Sequence, residues 1–246
     1  ECADIRKNPM KVAVIIPAAG LGTRMSRSQP ERSGISRKQF MLLDGVPIIV
    51  HTLRKFAGCE AVGEIVIALR PDDREWVAAT VNEAKLAKPV RFVDGGDTRQ
   101  ESVENALAIL SADTNLVAVH DAVRPFIDVA TIEKVIAEAA ETGAAIVGIV
   151  PVDTVKQVHR NKIRATIPRD RLVLAQTPQV FRFDLLQEAF RSARADNFTG
   201  TDEASLVERL EKVEVSVVPG SDHNIKITKP ADMELARLFL SQERKQ

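Results

Sequence analysis

The sequence predicts an α/β fold: a Rossmann-like, mostly parallel sheet with helices on both faces and an inserted two-stranded arm. Three observations lead there. Short apolar runs recur along the chain, amphipathic stretches at helical spacing fall between them, and the rhythm breaks once, at 152–180. Continuous apolar runs of strand length belong to strands buried on both faces. Strand–helix alternation builds a parallel sheet covered on both sides.

The runs at 12–16, 65–69, 116–119 and 144–150 are the predicted buried strands. Ile48, Ile49, Thr52, Leu53 and Phe56 repeat at helix spacing after Pro47, which suits a first-turn proline. Thr98-Arg99-Gln100-Glu101 resembles a capping box ahead of Val103, Ala106, Leu107 and Leu110. A helix over 131–140 stops at Gly143. The stretch 152–180 has no helical pattern, holds Pro168 and Pro178 just after Pro151, and alternates apolar with polar residues. It reads as a two-stranded arm with its turn at Asn161-Lys162, since a structureless loop of that length is uncommon in a compact domain. Helices at 183–193 and 202–210, a strand at 213–218 and a terminal helix at 231–240 complete the series. Residues 10–246 read as one domain, with 152–180 as its inserted dimerisation arm and 1–9 as an N-terminal extension. Met10 as the natural start and a native extension are both open readings.

Composition excludes several classes of function. Among 246 residues, 34 Lys and Arg balance 34 Asp and Glu. A nucleic-acid surface needs a basic excess, so no polymer partner is expected. Apolar runs of strand length argue against a membrane span. Cys2 and Cys59 form neither a CxxC pair nor a metal-ligand spacing, and a cytoplasmic, reducing location fits them. The four histidines, His51, His120, His159 and His223, show no ligand spacing either; His120 reads as a structural strand-end residue.

The strongest segment is Ile16-Pro17-Ala18-Ala19-Gly20-Leu21-Gly22-Thr23-Arg24-Met25, where the first strand ends. Ligands of open α/β sheets bind beyond the carboxyl ends of strands. Small residues at Ala18, Ala19, Gly20 and Gly22 let backbone N–H groups approach phosphate oxygens, and Arg24 adds a planar donor. A dinucleotide fingerprint would need a third glycine where Met25 stands, and a Walker A loop would need Gly-Lys-Ser/Thr. On these residues alone, phosphate binding and a plain tight turn both stand.

Further segments follow: Lys38-Gln39, Asp94-Gly95-Gly96-Asp97-Thr98-Arg99, His120-Asp121-Ala122-Val123-Arg124-Pro125, Gln176-Thr177-Pro178-Gln179, Thr201-Asp202-Glu203-Ala204 and Asn224-Ile225-Lys226-Ile227-Thr228. Together with the first turn, and in this order, they resemble the 2-C-methyl-D-erythritol 4-phosphate cytidylyltransferase family of non-mevalonate isoprenoid biosynthesis. The resemblance implies transfer of a cytidylyl group from CTP to methylerythritol phosphate, with pyrophosphate released. It implies Arg24, Lys38, Arg169 and Lys226 as catalytic residues. Ala18, Ala19, Gly20, Gly22, Gly96, Asp97 and Ser102 would hold CTP. Asp121, Arg124, Thr154, Arg169 and Thr177 would hold the acceptor, with Thr154 and Arg169 reaching into the neighbouring chain of a homodimer. Mg²⁺ is expected as cofactor, carried mainly by the CTP phosphates, with no protein ligand assigned.

Two departures from the family pattern stand out. Arg37 occupies the position before Lys-Gln where the family usually has proline, and the stretch 26–37 is long and rich in Ser, Arg, Pro and Gly. It reads as a flap. The alternatives are ribitol-5-phosphate cytidylyltransferase, which shares the turn, Lys-Gln and His-Asp-Ala segments, and a nucleotide-binding regulatory protein without turnover. Asp94-Gly95-Gly96-Asp97 favours the isoprenoid enzyme, and retention of Arg24, Lys38, Arg169 and Lys226 argues against loss of turnover.

Overall fold

The computed structural model describes residues 10–20 and 37–244. The expected residues Gly22 and Arg24, most of the 26–37 flap and the 1–9 extension lie outside them.

In chain order the elements are β1 (Val12–Pro17), β2 (Leu42–Leu43), β3 (Val46–Pro47), α1 (Ile48–Ala57), β4 (Val62–Leu69), α2 (Arg74–Ala84), β5 (Val90–Asp94) and α3 (Arg99–Ala108). Then come β6 (Leu116–Val119), α4 (Val129–Thr142), β7 (Ala144–Ile149), β8 (Val155–His159), β9 (Lys162–Ile167), β10 (Leu174–Arg182), α5 (Phe183–Ala195), α6 (Glu203–Glu208), β11 (Ser216–Pro219) and α7 (Pro230–Glu243). Seven strands form one sheet in the order β11-β7-β10-β6-β1-β4-β5. β10 runs antiparallel to both neighbours, and the other pairings are parallel.

The two-residue period of a strand divides the core. In β1, Val12, Val14 and Ile16 face Leu53 and Phe56 of α1 and Val135 of α4. Ala13 and Ile15 face Val103 of α3 and Leu186 and Phe190 of α5. Each large aliphatic or aromatic side chain buried this way contributes about 1.5–3 kcal/mol. Helix ends follow the sequence: Thr98 and Glu101 form the predicted capping box, and Gly143 closes α4 at a φ of 94°, where the missing Cβ removes the usual penalty. A third, smaller core joins Leu43, Ile48 and Ile227 to Met233 and Ala236 of α7.

The structure corrects several boundaries. The antiparallel pair β8–β9 is shorter than 152–180, because Leu174–Arg182 is a central strand. Its two-residue turn is Arg160-Asn161, not Asn161-Lys162: His159 pairs with Lys162, and Arg160 and Asn161 take φ values of 48° and 60°, the double left-handed pattern of a tight hairpin. Pro47 precedes α1 instead of sitting in its first turn. The late strand starts at Ser216, three residues after its predicted start. Lys226 lies on a segment without regular structure.

Candidate active site

The carboxyl ends of β1, β4, β5 and β6 lie along one edge of the sheet, and their backbones fix the loops that follow. Ala18 N–H donates to Ala68 O at 2.8 Å, Gly95 N–H to Leu69 O at 2.7 Å, and His120 N–H to Ile15 O at 3.0 Å. The turn after β1 is held from inside by Gln39, whose buried side-chain amide donates to Ala18 O at 2.7 Å and Gly20 O at 3.1 Å. Lys38 opens the single 3₁₀ turn that carries Gln39 and Phe40.

The loop after β5 packs against that first turn. A Cβ on Gly95 would stand 2.3 Å from Ala19 Cβ, and one on Gly96 2.3 Å from Glu101 Cβ. Both glycines are therefore required by close approach. Ser102 is buried; its hydroxyl accepts from Gly96 N–H at 3.1 Å and donates to Thr98 O at 2.9 Å. It shapes the loop. Asp97 is exposed beside it.

The loop after β6 holds the main electrostatic feature. Asp121 Oδ2 lies 3.1 Å from Arg124 Nε and 2.9 Å from Lys226 Nζ, and Oδ1 lies 3.6 Å from Arg99 Nε. Arg99 also grips both oxygens of buried Glu203 at 2.7 and 2.9 Å. Burial works against a charged Asp121, yet Lys226, Arg99 and Arg124 overcome it and hold the carboxyl well below the usual carboxylate range. Burial pushes the Glu203 carboxyl up, and Arg99 opposes that shift. Three cations thus converge on Asp121 and Glu203, and Arg99 also feels the charge of Asp202.

Second contacts fix these groups. Thr177, at the start of the antiparallel strand, accepts from Asp121 N–H at 3.1 Å. Arg124 donates to Asn224 O at 2.7 Å, and the Asn224 amide donates to Gln176 Oε1 and Thr177 O, each at 3.0 Å. Ile225 and Ile227 pack against the α7 core while Lys226 reaches Asp121. His120 is fully buried against Phe56, and burial lowers its pKa to about 4 despite the hydrogen-bonding contact with Arg124 O.

The structure therefore brings Asp121, Arg124, Thr177 and Lys226 into one cluster, and places Ala18, Ala19, Gly20, Gly96 and Asp97 on two touching loops, with Ser102 in α3 behind the second. Thr154 and Arg169 lie exposed on the arm; among the described residues neither bonds to the cluster, and Arg169 donates to Val152 O. Sequence reasoning gave no role to Arg99, Glu203, Asn224 or Gln39. One signal was present for Arg99: a cation in the first turn of a helix opposes the helix dipole, which points to a compensating carboxylate elsewhere. Among the described residues no group of three or more His, Cys, Asp or Glu side chains could hold a metal ion, and the oxygens of Asp121 face cations.

The chain matches the family model for 2-C-methyl-D-erythritol 4-phosphate cytidylyltransferase over residues 12–242. Proteins of that name from Solibacter usitatus and Acidobacterium capsulatum are 66% and 53% identical to it over 238 residues, covering 95% of this chain and 97% and 98% of theirs. The crystal structure of 4-diphosphocytidyl-2C-methyl-D-erythritol synthase from Anaerococcus prevotii superposes with a TM-score of 0.82 at 28% identity, covering 95% of this chain and 100% of that one.

Proposed function

Because the chain belongs to the 2-C-methyl-D-erythritol 4-phosphate cytidylyltransferase family, we propose that its cleft joins CTP to methylerythritol phosphate, giving 4-diphosphocytidyl-2-C-methyl-D-erythritol and pyrophosphate. It is a nucleotidyltransferase of isoprenoid biosynthesis. The observation that carries the substrate reading is the Asp121 cluster, where Lys226, Arg124 and Arg99 converge at the same sheet edge as the turn after β1.

In the reaction, an oxygen of the acceptor phosphate attacks the α-phosphorus of CTP. A new P–O bond forms, the α–β bridging bond breaks, and its electrons leave on pyrophosphate. The nucleophile is already anionic, so the protein's task is positioning and charge stabilisation. Lys226 and Arg124 would hold the acceptor phosphate, with Asp121 and Thr177 fixing their placement. The Ala18–Gly20 backbone would cradle the triphosphate, Lys38 and Arg24 would meet the charge that develops on it, and the Gly96–Asp97 loop would hold the base. Mg²⁺ would come with the nucleotide as a complex with its phosphates, since it commonly keeps water and substrate phosphates as ligands.

The arm supports a homodimer in which Thr154 and Arg169 complete the neighbour's acceptor site. Past the register shift between Gln157 and Val158, Val158 pairs with Ile163, and the two are 56% and 65% exposed on one face of the hairpin. An isolated hairpin with one exposed apolar face is marginal. The cytoplasm is the assigned location; among the described residues no helix is long and apolar enough to cross a membrane.

The test is pyrophosphate release measured over CTP, UTP, ATP and GTP with methylerythritol phosphate or ribitol 5-phosphate. Turnover with CTP and methylerythritol phosphate alone is expected. Equal turnover with ribitol 5-phosphate would give the site to the ribitol enzyme instead.

A further inference from the structure

Lys38 sits in a turn whose flanking residues are each tied to a different wall of the cleft. Arg37 forms an ion pair with Asp73, and the two side chains are only 18% and 15% exposed. Gln39 is bonded to the first turn. Phe40 is buried and meets Trp76 of α2 edge to face, with ring centroids 5.2 Å apart. Asp73 is the residue immediately before α2, where the helix dipole favours a carboxylate. The next residue, Arg74, reaches Asp94 at 3.0 Å, at the end of the strand that leads into Gly95 and Gly96. The start of α2 therefore bridges the Lys38 turn and the loop after β5.

We propose that the Arg37–Asp73 ion pair is a positioning device for Lys38: it fixes the backbone of the 3₁₀ turn so that the ammonium meets the triphosphate in the transition state. The proposal rests on the reading of Lys38 as a catalytic residue. Arg37 touches no reacting atom; it acts through the peptide it shares with Lys38. An extended backbone at Arg37, with φ of −91° and ψ of 130°, is compatible with many rotations of a free chain, and the ion pair selects one. Both side chains are largely shielded; burial and the neighbouring Arg70 lower the Arg37 pKa, and Asp72 opposes them, so the pair is set in an acidic helix start against a desolvation cost. The Arg74–Asp94 pair is about half exposed and contributes less to the bridge.

A displaced catalytic group costs rate more than affinity, and a misplacement on the order of 1 Å can cost a hundredfold. Arg37→Ala and Asp73→Ala should each lower kcat about tenfold while KM for CTP moves less than about threefold. The double variant should be no slower than either single one, and Arg37→Lys, which keeps the charge, should recover part of the loss. In a Lys38→Ala background neither substitution should slow the residual rate further. Thermal melting of every variant accompanies the kinetics, and Asp73→Asn replaces Asp73→Ala if the latter does not fold. If Lys38→Ala cripples turnover while the Arg37 and Asp73 variants keep wild-type kcat, or if folded Arg37→Lys is as slow as Arg37→Ala, the positioning role is wrong. If Lys38→Ala itself keeps wild-type turnover, the catalytic reading of Lys38 fails, a separate and distinguishable result.

Discussion

The Lys226 ammonium lies 2.9 Å from Asp121 Oδ2, the oxygen that also meets Arg124. Asp121→Ala would leave these cations facing one another. Breaking a buried pair costs about 3–5 kcal/mol; with Lys226 39% exposed, a loss of about 3 kcal/mol is expected. Inorganic phosphate should restore part of it, because an anion can take the place of the carboxylate. Thermal or urea denaturation with and without phosphate measures both effects. A loss under about 1 kcal/mol, or no extra stabilisation by phosphate relative to wild type, would show that the cluster is not a charge-balanced anion site.

Gly95→Ala probes the contact between the two loops proposed to hold CTP. Its new Cβ would lie 2.3 Å from Ala19 Cβ and 3.0 Å from Ser102 Oγ, and both neighbours are buried. Overpacking of this kind costs about 1–3 kcal/mol and must push the loops apart. KM for CTP should rise about tenfold, in line with a cost of that size. Removing the opposing methyl in Gly95→Ala with Ala19→Gly should bring it back towards wild type. A KM in the single variant equal to wild type would mean that the two loops do not form one nucleotide surface.

His120 predicts a pH dependence of stability, not of chemistry. Burial brings its pKa to about 4, below the value of about 6.5 for an exposed histidine. Between those values the unfolded chain binds more protons than the folded one. Stability is therefore full above the unfolded value and is lost as pH falls towards the folded one, at up to about 1.4 kcal/mol per pH unit. His120→Gln should flatten this part of the acid-denaturation curve. Because the ring is fully buried and engaged with Arg124 O, it is walled off from the reacting groups, and the pH–rate profile between pH 6 and 8 should not change shape in the variant.

The sequence was most legible where periodicity was strong. The buried runs of β1, β4, β6 and β7, the Thr98–Glu101 box and the Gly143 stop all appear at their places. β10 was hidden because Pro178 lies inside it, and proline is disfavoured in a central strand. The ladder with β7 is interrupted between Ala175 and Gln179, so no N–H is needed there. Helix α2 buries only Val77 and Val81, too thin a stripe to read. In the site, Asp121 and Arg124 could be paired from their spacing, but Arg99 and Glu203 are far apart in sequence and meet only once α3 and α6 dock on the sheet.

The arm yields the last prediction, a site shared between subunits. The β8–β9 pair presents Val158 and Ile163 side by side on one face, both more than half exposed, and a twin arm would cover them in a twofold dimer. In such a dimer Arg169 serves the neighbour's cleft while Lys38 serves its own. Lys38→Ala then has a dead body and a good arm, and Arg169→Ala the reverse. In a mixed dimer one site joins a good body to a good arm, and the other carries both defects. Random reassortment makes about half of the dimers mixed, so about a quarter of wild-type activity should return when the two inactive variants exchange subunits. Subunit exchange is followed by a distinguishable tag on one variant. Exchange without any return of activity would place Arg169 in its own subunit's function or in none, and the arm would then be an assembly device only.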